Sequence, residues 1–152
     1  MLFELKGGHA MSVQEENKAI LRHKHVEELF NKGNLAVADE IISPDYVYHG
    51  AAGETKGPEG VKQMVTTLRT AFPDVHFTID DMVAEGDNVA VRYTWTGTHR
   101  GEYMGISPTG KQMSVTMAGF YRFAGGKELD VVTYVDMLNF YQQLGVVPTP
   151  GQ

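Results

Sequence analysis

Three side chains in this sequence carry chemistry that their surroundings do not explain. Asp136 ends the run VVTYVDML, where a carboxyl among Val132, Tyr134, Val135 and Met137 interrupts an apolar strand pattern. Burial would raise its pKa and make its carboxylate a stronger base, as proton abstraction from carbon near neutral pH requires. A structural role fits equally well: Asp is a favoured helix N-cap, and MLNFYQQLG after it reads as a short helix stopped by Gly145. His99 stands in TWTGTHRGEYMG, shortly after Trp95, the only tryptophan. Alternate strand residues share a face, so His99 and Trp95 share one with Val89, Val91 and Tyr93. The expectation is an imidazole at the rim of an apolar, aromatic-walled surface, with Gly97 leaving the space beside it empty. A bulge at Gly97 would shift that parity, and a turn histidine bonded to a backbone carbonyl is the alternative. His49, before Gly50, could orient a carbonyl, stabilise an enolate or relay a proton; an ordinary loop residue is the other reading.

Other candidates are weaker. The histidines of HKH, His23 and His25, are two apart and do not share a helix face; His23 is expected at the edge of the buried stripe and His25 in solvent. Asp80 and Asp81 point to opposite faces of a strand, so they make no catalytic pair. GGK at 125–127 lacks the rest of a phosphate loop. His49, His99 and Asp136 together have the donor types of a facial metal triad, an alternative to which the resemblance described below gives little support.

The elements that must hold these residues follow from periodicity. Ala19, His23, Val26 and Phe30 give a helical stripe from Ser12 to Asn31, with Gly33 as its stop and Asn34 as the cap of a second, LAVADEII. SPDYVYHG reads as extended. Gly57-Pro58 opens a third helix with the stripe Val61, Met64, Val65, Leu68 and Phe72, ended by Pro73. The period then becomes two: Val75, Phe77 and Ile79; Val89, Val91, Tyr93 and Trp95; Val115, Met117 and Tyr121; and ELDVVTYVDML, joined by turns at EGDN, SPTG and AGGK. This predicts an α+β fold, with three N-terminal helices packed on one face of a curved, mainly antiparallel sheet. Thr94, Thr96, Thr116 and Arg92 fall on the other face, which is either solvated or paired with a second subunit.

Composition sets the outer limits. The 152 residues hold no cysteine, a net charge of -6 and no basic block, which argues against nucleic-acid or anionic-membrane partners. Residues 1–11 do not read as a secretory signal and are expected to be an extension; 12–148 form a single domain and 149–152 a tail, in a soluble, cytoplasmic protein.

FNKGNLAVADEIISPDYVYHG, AFPDVHFTIDDMVAEGDNVAVRYTWTGTHRGEYMGISPTGK and DMLNFYQQLGVVP together resemble the SnoaL-like polyketide cyclase (ester cyclase) family of the NTF2-like superfamily. The stretch from Trp95 to Lys111 is the most specific part. The resemblance implies a conical cavity between helices and sheet. It also implies a cofactor-independent acid/base enzyme that closes a ring by intramolecular aldol chemistry on a small hydrophobic carbonyl compound. By motif, Asp136 would be the acid/base, with His49 and His99 lining the cavity beside it. Tyr93, Trp95, Tyr103, Met117, Tyr121 and Tyr134 would contact the substrate, and the superfamily's frequent dimers imply a homodimer. The family's glutamate and tryptophan before the aspartate are Val131 and Val132 here, and a polar position in the preceding strand is Gly119. A non-catalytic carrier of a hydrophobic small molecule is therefore the alternative, recognisable if Asp136 turns away from the cavity to cap the last helix.

Overall fold

The computed structural model describes residues 11–148 and Gly151; the rest of the expected extension and tail lie outside the described residues. Ser12 caps the first helix, α1 (Val13–Ala19), its hydroxyl accepting from the Glu15 N–H at 3.1 Å. α1 runs directly into a π-helical segment, Ile20–Asn31. At its end the Lys32 N–H donates to the Glu27 carbonyl, five residues back, at 3.1 Å. The buried residues of this segment are Leu21, His25, Val26, Leu29 and Phe30. The stripe expected from Ala19, His23, Val26 and Phe30 puts His23 near the core and His25 in water; the observed stripe runs instead through Leu21, His25 and Leu29, so His23 is exposed while His25 is buried.

The chain continues through α2 (Val37–Ile41), the hairpin β1 (Ile42–Gly50) and β2 (Gly53–Lys56), and α3 (Gly57–Ala71). Pro58 sits in the first turn of α3, where its missing N–H costs no bond. Val61, Val65 and Leu68 bury the expected stripe. Phe72, at the C-cap, is fully buried, worth about 1.5–3 kcal/mol relative to exposure. Four strands follow, β3 (His76–Glu85), β4 (Asn88–Thr98), β5 (Gln112–Ala124) and β6 (Lys127–Val135), and then α4 (Met137–Leu144). Gly145 ends α4 with φ at +78°, the left-handed cap that glycine adopts without strain.

The six strands lie in the order β2-β1-β6-β5-β4-β3, antiparallel except for the β1–β6 pair. Phe77, Val91, Tyr93, Trp95, Val115 and Tyr121 point to the inner face, where the helices cover them, as the alternation predicts. The expected α+β cone is the observed one. One irregularity matters for function. β5 and β6 pair Arg122 with Asp130 but Phe123 with Glu128, so Leu129 is an extra residue in a bulge. Inner residues run Val135, Thr133, Val131; unbroken alternation would send Leu129 inward and Glu128 out. The bulge reverses them, and Glu128 is fully buried on the inner face. No described helix is long and apolar enough to cross a membrane.

Candidate active site

A cavity of about 200 Å³ opens between helices and sheet, against roughly 10–15 Å³ for a single water. Phe30, Met64 and Leu68 line it from the helices. Tyr46, Tyr48, Tyr93, Trp95, Met117, Tyr121 and Thr133 line it from the sheet, and Tyr103, Met104 and Phe140 from the other side. Most of this wall is apolar or aromatic, so the few polar groups reaching it act in a medium that screens them weakly.

His25 is the titratable imidazole of that wall. Its Nδ1 lies 3.0 Å from Oε2 and 2.9 Å from Oε1 of Glu128. A carboxylate can only accept, so in the neutral ring the proton sits on Nδ1 and the lone pair on Nε2. The ring is also held by Phe30, stacked at 4.7 Å between centroids, and by Tyr121, edge-on at 5.4 Å. Glu128 stands behind the imidazole, with 0% exposure, and Oε1 has no well-aligned hydrogen bond among the described residues. A buried acceptor left short of partners is costly and calls for an explanation. This pair was missed in the sequence, because the helical stripe was anchored on Ala19 and His23 instead of on Leu21 and Leu29, and because Glu128 turns inward only through the bulge.

Tyrosine hydroxyls complete the polar lining. Tyr93 and Tyr121 meet oxygen to oxygen at 3.1 Å, and Tyr48 bonds Thr133 at 2.6 Å. Burial pushes the Tyr46, Tyr93 and Tyr121 hydroxyls above the ordinary phenol range, and the nearby Glu128 charge adds to it. These groups are proton donors, not bases.

The residues singled out from sequence separate. Asp136 is exposed, and its Oδ1 accepts from the Asn139 N–H at 3.0 Å as the N-cap of α4. It does not line the cavity; of its two readings, the capping one describes its position. His49 lies on the outer sheet face, because Tyr46 and Tyr48 take the inward positions of β1. It sits between Glu54 (3.5 Å) and Asp130 (3.4 Å). His99 is 0% exposed but reaches no cavity wall. Its Nδ1 accepts from the Thr109 N–H at 3.2 Å, and its ring stacks on Phe72 at 5.3 Å. The space beside Gly97 is not empty: Phe72 fills it, so closely that an added Cβ would lie 3.0 Å from the Phe72 Cβ. Phe72 in turn packs on Trp95 and Tyr103, so His99 braces the wall from behind. Tyr134 is 64% exposed on the outer face, with the parity opposite to Thr133 and Val135, and so cannot contact a molecule in the cavity. Tyr93, Trp95, Tyr103, Met117 and Tyr121 do line it. The three donors of the conceivable metal triad do not converge, and among the described residues no cluster of three or more potential metal ligands occurs.

The profile of a SnoaL-like polyketide cyclase matches residues 20–144. Over 132 residues the chain is 30% identical to the aklanonic acid methyl ester cyclase DnrD of Streptomyces peucetius, covering 84% of this chain and 91% of that enzyme. It is 29% identical over 119 residues to the nogalonic acid methyl ester cyclase of Streptomyces nogalater, covering 76% and 89%. The crystal structure of IdmH from Streptomyces antibioticus superimposes with a TM-score of 0.70 at 34% identity, covering 86% of this chain and 97% of that one. The cone, the position of the matched segment and the extent of these similarities agree: the chain belongs to the SnoaL-like polyketide cyclase family.

Proposed function

We propose that the protein is a cofactor-independent cyclase that closes a ring in a small hydrophobic carbonyl ester by an intramolecular aldol reaction, with His25 as its base. The observation that carries this is the His25–Glu128 contact: a cavity-lining imidazole whose Nδ1 is engaged by a fully buried carboxylate. Nε2 takes a proton from a methylene flanked by two carbonyls. The enolate carbon then forms a C–C bond to a second carbonyl of the same molecule, and the resulting alkoxide takes the proton back from the imidazolium. No net oxidation occurs and no cofactor is needed. Glu128 holds the tautomer and stabilises the imidazolium while it exists, the role of the orienting acid in a catalytic triad. The two similar cyclases named for methyl esters support an ester as substrate.

A binding or carrier role is the second reading, favoured by the outward Asp136 and by an inner face at 119, 131 and 133 that holds no carboxylate. Incubation with aklanonic acid methyl ester and simpler β-keto esters separates the two. The cyclase reading expects an isomeric product of unchanged mass, lost in His25→Asn; binding without conversion in the wild type establishes the carrier.

The proposal includes a cytoplasmic homodimer formed through the outer sheet face. There Phe120 and Tyr134 are 54% and 64% exposed and pack edge-on at 6.2 Å. Arg122 and Asp130 lie beside them, so the face offers apolar surface and both signs of charge to a second copy.

A further inference from the structure

The tyrosine pair is not used by the proton transfer assigned to His25, yet the sheet is shaped to make it. Tyr121 does not stand straight out from β5; its ring leans back over Gly119, where an added Cβ would lie 2.6 Å from the ring. That lean carries its hydroxyl to within 3.1 Å of the Tyr93 hydroxyl on the neighbouring strand. When two hydroxyls bond to each other, one donates and the other keeps its proton free. Neither oxygen has another partner among the described residues, and both rings line the cavity. The Tyr121 ring itself lies edge-on to the His25 ring, 5.4 Å between centroids, so the pair and the imidazole belong to one wall of the cavity. Burial keeps both phenols protonated, so the pair presents a neutral donor, fixed before any ligand arrives.

The geometry points to the Tyr93–Tyr121 pair as a binding site for an enolic or phenolic oxygen. The ligand class is a flat, mostly apolar molecule with one such oxygen, which accepts the free tyrosine O–H while its rings lie against Trp95 and Met117. In the cyclase this would be where the enolate oxygen sits, and that catalytic meaning rests on the function proposed above; the binding itself does not. Gly119 is then a specificity residue, because it sets the position of the donor.

The test is calorimetric titration of 2-naphthol and of naphthalene, which share a shape and differ by one oxygen. Wild-type protein should bind 2-naphthol at least about tenfold more tightly, the scale of one buried hydrogen bond. Combined Tyr93→Phe and Tyr121→Phe should erase that preference while naphthalene binding persists, which also shows that the cavity is intact. Gly119→Ala should weaken the preference with both hydroxyls still present, because the Tyr121 ring must move. Equal wild-type affinity for the two compounds, or a preference surviving the double substitution, overturns the assignment. If the double variant binds neither compound, Gly119→Ala decides: an unchanged preference overturns the assignment and a diminished one supports it. A wild type that cyclises no ester but prefers naphthol refutes the cyclase reading alone; one that cyclises esters without the preference refutes only this one.

Discussion

Replacing Glu128 by Gln separates the proposed base from every other feature of the cavity. Glutamine has the same shape and can still accept the Nδ1–H of His25, now 3.0 Å from Oε2, but it carries no charge. The imidazolium formed during turnover would lose a partner whose charge centre lies about 4 Å away, worth about 4 kcal/mol at an effective dielectric near 20. At about 1.4 kcal/mol per decade that is roughly a thousandfold in kcat, within the roughly 10²–10⁴-fold range of general acid–base effects. Stability should not fall, because the variant removes a buried carboxylate charge, one oxygen of which lacks a well-aligned partner among the described residues, and leaves a neutral pair. His25→Ala, by contrast, strands a buried carboxylate and should cost about 3–5 kcal/mol. The assay pairs steady-state turnover of a cyclisable ester with urea unfolding of the same samples. Asp136→Asn belongs in the same experiment: Asn caps helices about as well as Asp, so both turnover and stability should stay near wild type. If E128Q keeps more than a third of wild-type kcat while D136N loses it, the base is Asp136 after all and the reasoning from the buried pair is wrong.

His99→Ala should lower stability by about 2–4 kcal/mol, through the lost stack on Phe72 and the unpaired Thr109 N–H. Its kcat per folded molecule should be unchanged, and a drop in kcat without destabilisation would return His99 to the active site. Tyr46, Tyr93 and Tyr121 ionise above the ordinary phenol range in the folded state. Their contribution to stability is therefore complete below the unfolded value near pH 10 and lost as pH rises beyond it. Alkaline unfolding followed by circular dichroism should coincide with the delayed part of the tyrosinate absorbance; full ionisation before unfolding would contradict their burial. Phe120→Arg on the outer face should convert the proposed dimer to a monomer by light scattering with the cavity intact, and a monomeric wild type would remove that interface.

Much of the fold was legible because it rests on regular periods. The α3 stripe from Val61 to Leu68 and the alternation of Val89, Val91, Tyr93 and Trp95 each specify one buried face, and both bury it. The turn chemistry at Gly86, Gly125 and Gly145 marks real ends, with φ of +57°, +57° and +78°. The edge hairpin of β1 and β2 was less visible, because most of its residues are exposed or only partly buried and it carries little apolar pattern. Parity explains the cavity-lining aromatics that were anticipated and the error at Tyr134, which was expected to contact the substrate although Thr133 and Val135 hold the inward positions. Asp136 was ambiguous for a sound reason: a residue at a strand–helix junction satisfies the composition of a buried base and of a cap alike, and only the direction of its side chain separates them.

The His25–Glu128 pair lies where two departures from regular geometry meet. A π-helix is a poorer helix than α, and a bulge gives up part of a ladder. Each lowers local regularity. On the stripe read from Ala19, His23, Val26 and Phe30, His25 faces solvent, whereas the observed stripe runs through Leu21, His25 and Leu29; with an unbroken β6, Glu128 faces the outer side of the sheet. Together the observed stripe and the bulge place an imidazole and a carboxylate in contact inside an otherwise apolar wall. An ion-forming pair there adds little to stability compared with well-packed apolar residues, so folding alone gives no reason for both irregularities to meet at one contact. Sites where local rules fail without a structural gain are where function is expected. This convergence, more than the presence of any one residue type, makes the His25–Glu128 contact the place to look for the chemistry.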